Sequence, residues 1–179
     1  MIQRPLAFVV LFACASLLHA ETGNPAIDAH AHLANAVEAL EHRTTHRISE
    51  EEFLRLSRQP GAIVLDARSR EKFEMLHVEG AINLPFPDFD VESLARVFPD
   101  RNAPILIYCN NNFLGSPVAM PTKAVSASLN LSTFAALYDY GYRNVFELGP
   151  LVDVADTRLP LSGSLAPAPT PPRGRPSPP

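Results

Sequence analysis

The period of the apolar positions changes several times along this chain, and each change marks an element. Ile27, His30, Leu33, Ala34, Val37 and Leu40 recur every three or four residues behind Asn24-Pro25, a pair suited to a helix start. This spacing predicts a helix over about 25–42. Ser49 with Glu52 three positions later is a capping-box pattern. It opens a short helix carrying Phe53, Leu54 and Leu56, which Pro60-Gly61 stops. After that the apolar residues come in short continuous runs. Ala62–Asp66 and Pro104–Tyr108 read as buried parallel strands, and Ala81–Leu84 (stopped by Pro85) and Asn144–Leu148 as further strands. Between them, Ser69–Leu76, Val91–Phe98 (capped by Asp90) and Ser132–Tyr140 (ended by Gly141) read as helices.

Strands alternating with helices imply βαβ units and an α/β fold around a mainly parallel sheet. Ligands of such sheets bind beyond the carboxyl ends of the strands. Cys109 falls at that edge, directly after the clearest strand, Pro104–Tyr108.

The two ends of the chain differ from its middle. Arg4 is the only charge among the first 20 residues, and an apolar run from Leu6 to Leu18 follows it. This is too short to span a bilayer and reads as a secretory signal peptide cleaved after Ala20. An uncleaved anchor and a lipoprotein box at Leu11–Cys14 are the competing readings. Cleavage would remove Cys14, leaving Cys109 as the one cysteine of the mature chain, with no internal disulfide. Of 18 prolines, the ones at 160, 167, 169, 171, 172, 176, 178 and 179 are crowded at the C-terminal end, which reads as a disordered tail. The resulting division is 1–20 signal peptide, 21–45 N-terminal helical extension, 46–160 domain and 161–179 tail. Localisation would then be periplasmic or secreted, without stable membrane insertion after processing. The net charge of −4 gives no basic footprint for nucleic acid.

Five segments in order carry a resemblance: Arg47–Glu52, Val64–Arg68, His77–Pro85, Ile105–Cys109 and Gly141–Leu148. Together, over about 46–153, they resemble the rhodanese-like (sulfurtransferase) family. The resemblance implies a five-stranded sheet flanked by helices on both faces. It also implies a cysteine, here Cys109, that takes up sulfane sulfur as a persulfide. Asn110, Asn111, Asn112, Phe113, Leu114 and Gly115 would bind substrate through the loop, with Asp66, Arg68 and His77 in support. Arg68 is expected to pair with an acid such as Glu71. No cofactor is implied. The partners would be a small sulfur donor or thiol acceptor, with a partner protein as a further option.

The chain departs from the family after Cys109. The connection 110–131 is long, and its only cation is Lys123. A dianion such as thiosulfate would be poorly neutralised, so weak thiosulfate activity is expected. A phosphatase relative would need an arginine at the end of this loop, and none is present. A connection of this length reads as a lid or a partner-binding face, with a plain surface insertion as the alternative. The competing function is therefore a non-catalytic binding module that recruits a protein through the 110–131 loop and the Pro-rich tail. Asp28, His30, His32, His42 and His46 invite a metal reading. However, residues two apart on a helix point different ways, and the helix is expected to end between His42 and His46, so no metal site is assigned.

Overall fold

A computed structural model describes residues 24–167 of the chain. The helix predicted from residue 25 starts one turn later, as α1 (Ala29–Arg43), because Asp28 caps it by accepting the Ala31 N–H at 2.8 Å. Asn24 instead closes a tight turn onto the Ala26 N–H. The expected apolar stripe is present but faces outward: Ile27, Leu33, Val37 and Leu40 are exposed, whereas Ala39 is fully buried. Short β1 (Arg47–Ile48) leads into α2 (Glu50–Ser57). Ser49 Oγ accepts the Glu52 N–H, but the Glu52 carboxylate turns to Arg55, so only half of the capping box forms.

The remaining elements follow the alternation closely. They are β2 (Ile63–Asp66), α3 (Arg70–Met75), β3 (His77–Val78), β4 (Ile82–Asn83), α4 (Val91–Val97) and β5 (Ile105–Tyr108). Asp90 and Ser93 cap α4 reciprocally, and Ser93, through its backbone N–H first and its hydroxyl second, holds the Asp90 carboxyl below its ordinary range. Beyond Cys109 come β6 (Phe113–Leu114), α5 (Leu129–Asp139), β7 (Val145–Leu148), β8 (Val152–Asp153) and β9 (Leu161–Ser162). Helix α5 begins one turn before the expected Ser132. Ser128 and Ser132 both suit a helix start, and the earlier turn is drawn in by Asn130, which is buried and bonded to Asn112. Gly141, at φ +91°, ends the helix in the left-handed region.

The five-stranded sheet runs β1-β7-β5-β2-β4, parallel throughout. Alternate residues feed two cores. Val64, Leu106, Tyr108 and Leu148 pack with Phe53, Leu54 and Leu56 of α2 on one face. Leu65, Ile105, Ile107 and Val145 pack with Ala39, Leu94, Phe98, Phe134 and Leu137 of α1, α4 and α5 on the other. Helices thus cover both faces. Within the expected extension 21–45, the described α1 packs on the domain: it is held to α5 and β7 by the burial of Ala39, by Asn35 to Asp139 and by His42 to the Arg143 carbonyl.

The C-terminal boundary also moves. Residues 161–166, assigned to a disordered tail by composition, form a strap. β9 pairs antiparallel with β3, the Ser164 and Leu165 N–H groups bond Glu74 and Met75 carbonyls, and Ala166 packs on the core. Leu161 and Leu165 give this stretch apolar area that the surrounding prolines obscured. The expected signal peptide, and the tail beyond 167, lie outside the described residues.

Candidate active site

Cys109 follows the last residue of β5 at the sheet's carboxyl edge, is 1% exposed, and is the free cysteine of the described residues. Its backbone is extended, and its Sγ lies 3.3 Å from Ser128 Oγ, at the residue preceding α5. No side-chain bond ties Ser128 to its own helix, which leaves the hydroxyl for the sulfur.

The asparagines after Cys109 are clamps. Asn112 Oδ1 accepts the Cys109 N–H and the Asn130 amide, both at 2.9 Å. Its Nδ2 donates to the Leu148 and Pro150 carbonyls, so one side chain joins β5, α5 and the end of β7. Asn111 exchanges two bonds with the backbone of Lys123. Both asparagines line the Cys109 pocket, but their amides are engaged in holding its walls.

Four of the six expected substrate-binding residues do not line that pocket. Asn110 is buried beside it, and the chain then leaves as β6, which pairs in parallel with β8. Phe113 enters the core edge-on to Tyr108. Leu114 faces solvent, and Gly115 turns at φ +83°, where a Cβ would stand 2.9 Å from Asp153 Oδ1. The long connection is also pinned further along, with Ala119 and Met120 fully buried. It is ordered structure fastened at several points, which does not suit a free lid.

Arg68 makes the fastening at Ala119. Its guanidinium grips Asp66 and donates to the Leu76 carbonyl at 2.6 Å and the Ala119 carbonyl at 3.1 Å. Its partner is thus Asp66, two residues back in the sequence, and not Glu71, which lies beside Lys72 at the surface. Burial pulls the Arg68 guanidinium down, but Asp66's hydrogen bonds and charge outweigh it and hold the group above its ordinary value. The Tyr108 hydroxyl donates to Asp66 Oδ2 at 2.6 Å and accepts the Val78 N–H. Burial first, and the Asp66 charge second, push that phenol well above its usual range. His77 bonds the Phe73 carbonyl through Nδ1 and stacks on the Phe73 ring; it does not line the Cys109 pocket.

The pocket has a volume of about 300 Å³, and its cations come from upstream of the cysteine. Arg43 at the end of α1, Arg47 on β1 and Glu147 on β7 line it beside Cys109, Ser128 and Asn130. Glu147 is 3% exposed and receives both Nε and Nη2 of Arg43. Arg47 Nε lies 3.8 Å from Glu147 Oε1, while Arg47 Nη2 donates to the Gly149 carbonyl at 3.0 Å. Both arginines precede Cys109 in the sequence and stand outside the expected site residues. The signal that could have found them is Glu147 itself: an acid inside the apolar run Val145–Leu148 requires a buried partner.

His42 and His46 stack at 3.9 Å across the end of α1, among Phe134, Tyr138 and Phe146. Among the described residues, no three His, Cys, Asp or Glu side chains are grouped to hold a metal, and no helix is long and apolar enough to cross a membrane.

Comparison with known proteins gives these findings. The model of the rhodanese-like domain family matches residues 49–148. The thiosulfate sulfurtransferase PspE of Escherichia coli (strain K12) is 39% identical over 46 residues, 26% of this chain and 43% of that protein. The match therefore spans less than half the length of that curated relative. Among solved structures, the BH2092 protein from Bacillus halodurans aligns at 20% identity and TM-score 0.48, covering 74% of this chain and 88% of that one. A rhodanese with anions from E. coli aligns at 27% identity and TM-score 0.38, covering 57% and 98%.

Proposed function

The chain belongs to the rhodanese-like family, and we propose that it is an exported protein that accepts sulfane sulfur on Cys109 and passes it to a thiol or other nucleophile. The observation that carries this reading is the placement of Cys109: at the carboxyl end of the central strand, beside a pocket that also holds Ser128, Arg43 and Arg47. In the first step the Cys109 thiolate attacks the outer sulfur of the donor. A Cys109–sulfur bond forms, the donor's sulfur–sulfur bond breaks, and the leaving thiolate or sulfite departs with that electron pair. In the second step an acceptor thiolate attacks the terminal sulfur, and Cys109 leaves as thiolate. The Ser128 hydroxyl, 3.3 Å from Sγ, can donate a hydrogen bond to the anionic Sγ of the thiolate that attacks in the first step and leaves in the second. A neutral Asn-rich turn, with the Asn111 and Asn112 amides already engaged, adds no charge of its own.

The test is direct. Incubation of the mature chain with sulfane-sulfur donors, followed by intact-mass measurement, should add ~32 Da, one sulfur atom held as a persulfide. Cys109→Ser should abolish it. Absence of any adduct on Cys109 with every donor would instead favour the binding-module reading, which the exposed Leu114, Val118 and Val125 on the 110–131 connection support. Export is checked separately: material recovered outside the cytoplasm should begin at or near Glu21, and a Met1 start would reject it.

A further inference from the structure

We propose that Arg47 is the anion-recognising residue of the Cys109 pocket, and that the Arg43–Glu147 pair beside it tunes the pocket to singly charged anions over dianions. The identity of the natural ligand as a sulfur compound rests on the sulfur-transfer reading above. The charge preference is a property of the pocket that any thiol reagent reads.

The two guanidinium groups of the pocket are used differently. Arg43 spends Nε and Nη2 on the two oxygens of one carboxylate, and its side chain is 18% exposed. Its charge is offset at contact distance. Arg47 is 48% exposed, and its Nε is too far from Glu147 for a hydrogen bond. The Gly149 carbonyl takes one of its five N–H donors. That bond fixes the guanidinium against the β7 edge and leaves donors facing the pocket.

The charges then add simply. The ionisable groups lining the pocket are Arg43, Arg47, Glu147 and Cys109. With Cys109 as a thiol the pocket carries one positive charge in excess. As thiolate or persulfide, Cys109 cancels it. A monoanion therefore meets a pocket that is cationic or neutral. A dianion always leaves at least one uncompensated negative charge. Weak use of thiosulfate is thus expected on grounds different from the cation-poor loop: the cations are present, and Glu147 removes one of them.

The test uses the full chain and two alkylating reagents of similar size, iodoacetate (anionic) and iodoacetamide (neutral), with Cys109 modification followed by intact mass. Arg47→Met keeps the apolar stem and removes the charge. It should slow iodoacetate about three- to tenfold, the effect of one half-exposed charge at short range, with iodoacetamide held within about twofold. Arg47→Lys should restore most of the iodoacetate rate, and added salt should erode the wild-type advantage. Glu147→Gln frees the Arg43 charge, so it should raise sulfur loading from thiosulfate relative to loading from a singly charged thiol persulfide. An iodoacetate-to-iodoacetamide ratio untouched by Arg47→Met overturns the assignment, whatever donor loads Cys109. A ratio that falls as expected in a chain that takes sulfur from no donor overturns the sulfur-transfer reading and leaves the Arg47 assignment standing.

Discussion

Two buried acids of this protein meet arginine on opposite faces of one sheet, and the two meetings have different consequences. Asp66 and Arg68 are sealed: their side chains are 0% and 2% exposed, and the guanidinium is walled by Leu76, Ala119 and Met120. Glu147 is just as deep, but its arginines grade outward, Arg43 at 18% and Arg47 at 48%. The chemistry of the groups is the same. What differs is whether any guanidinium charge is left facing open space. The sealed pair fastens strands, helix end and loop to one another. The open pair places a surplus charge in the pocket that holds Cys109. An acid–arginine pair is thus not structural or functional by type; the exposure of its outermost donor decides.

The largest expected effect tests the seal. Arg68→Ala would strand the Asp66 carboxylate and leave the Leu76 and Ala119 carbonyls without a partner. Removing one member of a buried pair costs roughly 3–5 kcal/mol. Arg47→Met, on the open pair, should cost under about 1 kcal/mol. Urea unfolding of both variants measures the contrast, and equal losses would erase the distinction drawn between the two pairs.

Asn112→Ala comes next, because it attacks the wall between the pocket and the sheet. It leaves the Cys109 N–H, the Asn130 amide and two carbonyls unpaired. Several of these groups are buried, and each costs about 1–3 kcal/mol when left unmade, so a net loss of roughly 2–4 kcal/mol is expected. Faster alkylation of Cys109 should accompany it as the wall loosens. A stable variant with an unchanged alkylation rate would mean that the pocket does not depend on this clamp.

Much of the sealed side was legible in the sequence, and little of the open side was. The runs Ile63–Asp66 and Ile105–Tyr108 carry their own signal, since a short continuous apolar run with turn residues at its ends has few other uses. Cys109 at a strand's carboxyl end follows from the same reading. Asp90 as a cap was local, and it formed as expected. The pairing of Arg68 with Asp66 was missed because strand-end geometry, not helix spacing, brings residues two apart together. The six residues after Cys109 read as one cradle in the sequence because they are contiguous. Contiguity says nothing of direction, and β6 carries Phe113 and Leu114 away. Arg43 and Arg47 lie more than 60 residues before the cysteine, and only the β1–β7 pairing brings them to it.

A smaller effect gauges the outer wall of the sealed pair. The strap 161–166 lies across Glu74–Val78, the segment whose Leu76 carbonyl takes Arg68 and whose Val78 N–H takes the Tyr108 hydroxyl. A chain ending at Gly163 should be less stable than one ending at Pro167 by about 1–2 kcal/mol, the worth of two backbone hydrogen bonds and a little apolar area. Calorimetry on the two truncations reads the difference. Identical melting temperatures would show that the seal is complete without the strap's last turn.

The smallest effect is a titration, and it isolates the seal from everything at the pocket. Tyr108 is buried against Asp66, which raises its phenol well above the ordinary value of about 10. A group whose pKa is raised by folding contributes stability that is fully present below its unfolded value and is lost as pH climbs toward the folded one. Below about pH 9 the phenol is neutral in both states and pH has no leverage through it. Above about pH 10 the unfolded chain ionises this tyrosine and the folded chain resists, so unfolding gains about 1.4 kcal/mol by pH 11. Tyr108→Phe cannot ionise in either state. It should be less stable than wild type at neutral pH, having lost the bond to Asp66 and left the Val78 N–H unpaired, yet its deficit should shrink by about that amount between pH 9 and pH 11. The other tyrosines and the lysines titrate in both proteins and drop out of the difference. Parallel stability curves over that range would mean that water or mobility reaches the hydroxyl, and that the Asp66–Arg68 pair is not closed.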